Sequence, residues 1–279
     1  MKNMKLNLVD LHIHTTYSDG CFSPSDVVRM AKDNFLKAIA ITDHDCIDGV
    51  ASAVKAGVKY SIEIIPGIEL SADYHKELHI LGYFIDVDSP TITLVLKKIT
   101  RENMKRIKLL LREFRKININ LAIDEIAKNF GGVNKNAIAK YLVDTCIVAS
   151  EEEAMDEFFS GDKSTNIEMM KLTPKACIET IKSAHGTPVL AHPGRIGLHK
   201  AELMTLVAQL KEFGLRGIEC WHPDHDFETI SECIRMSQHF DLCITGGSDF
   251  HGTERKKYML NQVNGISYKN VTNLREHII

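Results

Sequence analysis

The chain has 279 residues, 44% of them hydrophobic and 25% charged, with a net charge of −3. That balance predicts a soluble globular protein with a sizeable core and excludes a global basic field for sequence-independent nucleic-acid binding. No apolar run has the length of a signal-peptide core or a membrane span, and seven scattered cysteines without a C-x-x-C pair read as free thiols of the cytoplasm.

Leu8 to Ile13 alternates apolar and polar residues and predicts a short strand. His12 and His14 stand two apart, so both imidazoles leave one face of it, and Asp19 follows within a turn. That trio suits a metal ion; it is also compatible with two partly buried histidines before an Asp-Gly turn. Ser23-Pro24-Ser25-Asp26 predicts a helix start, with a hydroxyl cap, Pro at the first helical position and an acid in the first turn. Ala38 to Ile41 reads as a strand covered on both faces and ends at Thr42-Asp43-His44-Asp45. Further strands are predicted at Ile62 to Ile65, before Pro66-Gly67-Ile68-Glu69-Leu70, and at His79 to Phe84.

From about Thr91 to Glu168 no strand is predicted. A long helix carries a basic face from Lys97 to Lys116, followed by helical stretches near 121–130, 135–143 and 150–159. The expected organisation is a discontinuous α/β unit, 1–90 with 170–279, and a helical insertion or cap over 91–169. The basic face reads as a solvated surface, or as an attractor for an anionic substrate. The α/β pattern then resumes: a helix from Pro174, strand 188–191, helix 200–213, strand 217–220, helix 226–239 and strand 242–245. The last strand leads into Gly246-Gly247-Ser248-Asp249-Phe250-His251.

His12, His14, Asp19, Asp43, His44, Glu69, His192, His222, Asp249 and His251 all fall at or just after a predicted strand end. Parallel α/β folds build their sites on that rim. His79, at a strand start, fits if its strand runs antiparallel. His and carboxylate without thiolate favour two or three ions of manganese, iron or zinc over calcium.

Six blocks carry a resemblance to a known family: Asp-Leu-His12-Ile-His14-Thr-x-x-Ser-Asp19-Gly, Ile-Thr-Asp43-His44-Asp, Gly-Ile-Glu69-Leu-Ser, His79-Ile-Leu-Gly-Tyr, Ala-His192-Pro-Gly-Arg195 and Gly-Ser-Asp249-Phe-His251-Gly. In type and order the chain resembles the polymerase and histidinol phosphatase (PHP) superfamily of metal-dependent phosphoesterases. The resemblance implies an α/β fold, a distorted seven-stranded (β/α) barrel. It implies one ion on His12, His14 and Asp249, Glu69 bridging to a second on His79 and His192, and a third on Asp19, His44 and His251. The insertion is similar to that of the 3′,5′-nucleoside-bisphosphate phosphatase and 5′-end exoribonuclease branch. That branch shows Gly-Arg-Pro-His where this chain has Gly132-Val133-Asn134-Lys135-Asn136, leaving Lys135 as a partial substitute in substrate binding.

The expected activity is hydrolysis of a phosphomonoester by metal-activated hydroxide attack on phosphorus. The expected substrate is a nucleotide of AMP or 3′,5′-bisphosphonucleotide type, or a short RNA or DNA end. Arg195 would clamp a phosphoryl oxygen and His222 would protonate the leaving oxygen. Asp10 and Asp43 are candidates to fix ligand-histidine tautomers. The alternatives are a histidinol-phosphate phosphatase, a non-catalytic metal-stabilised module for a nucleic-acid enzyme, or a C–N hydrolase. No membrane association or obligate protein partner is expected.

Overall fold

The computed structural model describes residues 8–130, 133–252, 259–260 and 265–277; Gly132, at the head of the departing stretch, lies outside them. The chain forms two compact units, Met1–Val95 with Leu172–Ile279, and Leu96–Lys171.

The first unit is built on seven strands: β1 (Val9–Asp10), β2 (Ala38–Ile41), β3 (Glu63–Ala72), β4 (Leu78–Tyr83), β5 (Thr187–Leu190), β6 (Gly217–Trp221) and β7 (Cys243–Gly246). They pair in sequence order, every neighbour parallel except where β4 runs against β3 and β5. Leu11 N–H donates to Gly246 C=O at 3.2 Å and His14 N–H to Phe250 C=O at 2.9 Å, drawing the first strand's end to the last and nearly closing a barrel. The antiparallel β4 accounts for His79 at a strand start.

Alternation divides the strands between two cores. Ala38 and Ala40 pack with Val9, Leu11, Leu81, Tyr83 and Val189. Ile39 and Ile41 turn the other way, onto Val27, Val28 and Ala31 of α1 (Pro24–Asp33) and Ala53 and Ala56 of α2 (Val50–Tyr60). Ser23 caps α1, its hydroxyl accepting the Asp26 N–H at 3.2 Å. Each fully buried Ile contributes roughly 1.5–3 kcal/mol.

The predicted strand at 62–65 continues to Ala72, because β3 changes partners midway. Glu63 to Pro66 pair with β2 and Gly67 to Ala72 with β4. Pro66, which has no N–H to give, sits at this exchange. Glu69 therefore lies inside a strand rather than after one. The helix Tyr268–Arg275 has no sequence signal: only Val271 and Leu274 of its eight residues are buried, too weak a period to read.

After β4 the chain enters α3 (Pro90–Lys116), and the second unit continues with α4 (Ile123–Phe130), α5 (Lys135–Asp144) and α6 (Glu151–Phe158). Leu110, Phe114, Ile126, Ile138, Leu142 and Phe158 form its own core. Among the described residues no helix is long and apolar enough to cross a membrane.

Gly247 marks where the barrel ends meet. A Cβ there would stand 2.3 Å from both Cβ and N of His12. Gly247→Ala must push this backbone apart, and an overpacking cost of about 1–3 kcal/mol is expected. A thermal melt should show a clear fall in Tm; an unchanged Tm would mean that the closure is loose.

Candidate metal centre

β1 ends at Asp10; beyond it Leu11 enters one core and Ile13 the other, and His12 and His14 stand with ring centroids 5.2 Å apart. The turn after them is held by Asp43, whose carboxylate accepts from Thr15 N–H at 2.7 Å, the Thr15 hydroxyl at 2.8 Å and the Ser18 hydroxyl at 2.7 Å. Asp43 thus fixes the loop carrying Asp19 and makes no hydrogen bond to a histidine ring. Asp10 likewise accepts backbone N–H groups, from Ser248 at 2.8 Å and His12 at 3.4 Å, tying β1 to the Asp249 turn. Neither carboxylate fixes a ligand-histidine tautomer, contrary to the expectation from sequence.

The carboxylate that meets the His12 ring is instead Glu219 of β6, which the sequence reading missed. It is fully buried, with Oε1 3.0 Å and Oε2 3.2 Å from His12 Nδ1. The available signal was a single acid in the apolar run Gly217-Ile218-Glu219-Cys220, since a buried charge requires partners. It stands at an irregularity in the β6–β7 register, the kind of feature that re-aims side chains near sites.

Around Glu69 the other side chains converge. His12 Nε2 and His14 Nε2 each lie 3.2 Å from Glu69 Oε2, and 3.4 and 3.1 Å from Asp249 Oδ1. Glu69 Oε1 is 3.0 Å from both His79 Nδ1 and His192 Nε2, which are 3.3 Å from each other. These are edge lengths of a coordination polyhedron with bonds of about 2.1 Å. His44 Nδ1 is also 3.2 Å from Glu69 Oε2, joining His44 to His79 as well as to Asp19, His251 and His14. Asp19 Oδ2 lies 3.2 Å from His251 Nε2. The nine residues singled out in the sequence are therefore brought together, with His14, His44 and Glu69 each shared between groups.

Several buried donor atoms there have no hydrogen bond: Nε2 of His12 and His14, Nδ1 of His44, Oε2 of Glu69 and Oδ1 of Asp19. Orphaned buried polar atoms are costly, and imidazole and carboxylate atoms converging in this way fit divalent cations.

Arg195 and His222 both end on Asp249 Oδ2, at 3.0 and 3.4 Å. Arg195 also pairs with Glu77 at 2.7 Å. His222 Nδ1 accepts the Asp224 N–H at 3.1 Å, so the proton of the neutral ring is on Nε2. His225, given no role from sequence, accepts the Gly194 N–H at 3.1 Å and donates to Cys220 C=O at 2.9 Å, pinning the turn of Arg195. Lys135 is held within the helical unit by Asn166 at 2.7 Å and by Glu168.

The PHP domain model matches residues 10–182 of this chain. The chain belongs to the PHP family. A 5′-3′ exoribonuclease of Haemophilus influenzae is 30% identical over 87% of this chain and 89% of its own length. A 3′,5′-nucleoside bisphosphate phosphatase of Chromobacterium violaceum is 26% identical over 87% of each. A solved structure assigned as a metal-dependent phosphoesterase from Bifidobacterium adolescentis superposes with a TM-score of 0.83 over 97% of this chain and 96% of that one, at 23% identity. The chain is thus a metal-dependent phosphoester hydrolase, which removes the non-catalytic module from the alternatives.

Charge in this PHP site is divided. Burial pulls the His14 imidazole down, but Asp249 and Glu69 outweigh it and raise its pKa to about 10. His12, facing Glu219, Glu69 and Asp249, is likewise raised well above its usual value despite burial. Burial dominates at His44, lowered to about 3, and at His192, also lowered. Burial acts against the charged forms of Glu69 and Asp249, yet the surrounding histidines hold both well below the usual carboxylate range. Two of the converging residues have left-handed backbone, His192 at φ 26° and Asp249 at φ 52°, a strain that clusters at functional sites.

Proposed function

We propose that this PHP enzyme hydrolyses a phosphomonoester of a nucleotide, of AMP or 3′,5′-bisphosphonucleotide type, or at the end of a short oligonucleotide. The observation that carries the reading is Glu69, fully buried, one oxygen facing His12 and His14 and the other His79 and His192. Relatives bearing nucleotide and RNA activities, aligned over most of the chain, support the substrate class. His12, His14 and Asp249 would hold one ion, Glu69 with His79 and His192 a second, and Asp19, His44 and His251 a third, each manganese, iron or zinc. Bound ions would supply phosphoryl charge neutralisation and a water of lowered pKa at neutral pH.

The chain's own groups do the rest. Arg195, with 28% of its side chain exposed, would turn from Glu77 to a phosphoryl oxygen, where its planar fork can bind two atoms at once. His222 would deliver its Nε2 proton to the leaving oxygen; the ring is buried against Asp249, so the donor is already oriented. Lys135, paired with Asn166 and Glu168, stands as a further substrate-binding candidate. Seven cysteines with no disulfide among the described residues agree with a cytoplasmic enzyme.

The test is phosphate release from AMP, a 3′,5′-bisphosphonucleotide, a short 5′-phosphorylated RNA and histidinol phosphate. Nucleotide or RNA turnover is the expected result. Turnover of histidinol phosphate alone would overturn the substrate class. Arg195→Lys should raise KM about tenfold, about 1.4 kcal/mol, with a smaller change in kcat; an unchanged KM would remove the clamp.

A further inference from the structure

Glu219 makes contacts that only a carboxylate can satisfy. Its Oε2 accepts the His192 backbone N–H at 2.8 Å while its Oε1 lies 3.0 Å from His12 Nδ1. His12 belongs to one donor group and His192 to the other side of Glu69, so one side chain from β6 spans both. The inference rests on the metal centre proposed above but not on its substrate. We propose that Glu219 is the positioning residue of that centre: it keeps the His12 proton on Nδ1, leaving Nε2 bare for a cation, and fixes the backbone that aims His192.

The chemistry follows from counting donors. His12 Nε2 points at Glu69 and Asp249 and forms no hydrogen bond, so it is the ligating atom. A neutral imidazole with a bare Nε2 must carry its hydrogen on Nδ1. That hydrogen and the His192 N–H both point at Glu219, and a carboxylate is acceptor-only, with one oxygen for each. A glutamine of the same shape fails in either orientation. With its oxygen toward His12, its NH2 meets the His192 N–H; with its oxygen toward His192, its NH2 meets His12 Nδ1. The way out is for the His12 proton to move to Nε2, so that Nδ1 accepts from the amide, and the cation then loses its ligand. The left-handed backbone of His192, at φ 26°, gives the second contact its purpose, since a strained residue stays in place only while its surroundings hold it.

Glu219→Gln tests this with manganese alone. Free manganese is titrated against metal-free wild-type and variant protein and followed by its electron paramagnetic resonance signal, with no substrate present. Cobalt substitution gives a visible spectrum reporting the number of nitrogen ligands. The variant is expected to bind at least one manganese about 10–100-fold more weakly and to show an altered cobalt spectrum. Its metal-free melt should stay close to wild type. Glu219→Asp, which keeps two acceptor oxygens, should recover part of the affinity. Equal affinity and identical cobalt spectra in wild type and Glu219→Gln would overturn the inference while leaving the centre standing. So would weakening fully explained by unfolding, with normal affinity in the folded fraction. A wild-type chain that takes up no manganese or cobalt would remove the centre and the inference together.

Discussion

Asp249→Ala is expected to lower kcat/KM by well over 100-fold on whichever phosphomonoester the enzyme takes. Loss of a group that merely orients a ligand costs about 10–100-fold, and Asp249 does more than orient. Its Oδ1 lies 3.1 Å from His14 Nε2 and 3.4 Å from His12 Nε2, while its Oδ2 holds Arg195 and His222. On the proposed assignment, removing it would take away a ligand, release the proposed phosphoryl clamp and free the candidate acid. It also leaves His12 and His14 buried with one counter-charge fewer, and breaking a buried pair costs about 3–5 kcal/mol. Asp249→Asn, which keeps the shape, separates the two effects: its melt should lie nearer wild type while turnover stays lost. Full turnover in a folded Asp249→Asn protein would contradict the assignment.

Metal affinity is expected to climb with pH from 7 to 9, about tenfold per unit for each proton displaced. In the metal-free protein the His14 ring is raised to about 10 and carries a proton at neutral pH. A cation must displace it. His44 and His192 are lowered and have none to lose at that pH. For stability the signs are opposite. The raised His14 stabilises the metal-free fold fully below about 6.5, its unfolded value, and loses that contribution as pH rises through about 10. The lowered Glu69 and Asp249 stabilise above the usual carboxylate range and lose their contribution on acidification. Calorimetry in buffers of different ionisation enthalpy should detect at least one proton released per chain as manganese binds at pH 7.5. Affinity flat from pH 7 to 9 would contradict this charge assignment.

The parts of this site that announce themselves in sequence are those with a local pattern. His12 and His14 follow the end of β1, and Asp249 and His251 follow β7, as rim residues should. His79 could be placed because one reversed strand reconciles it with the rest. Glu219 has no such pattern: a lone acid in a short strand looks like any interruption until its partners, 207 residues away at His12 and 27 away at His192, are seen. Asp10 and Asp43 sit beside ligand-type residues, which in sequence suggests histidine partners. The backbone amides and hydroxyls of the flanking turns claim both, since a buried carboxylate takes whatever donors the loop supplies. The length of β3 was hidden by Pro66-Gly67, which reads as a turn and is instead where one strand passes from a parallel to an antiparallel neighbour.

The most direct measurement is turnover against metal content. Protein stripped by chelator and shown metal-free by elemental analysis would be titrated with manganese while phosphate release from a 3′,5′-bisphosphonucleotide is followed. Activity is predicted to be absent in the stripped protein and to rise to a plateau at two or three ions per chain. Undiminished phosphate release from protein containing no metal would contradict a hydrolase built on this histidine and carboxylate cluster.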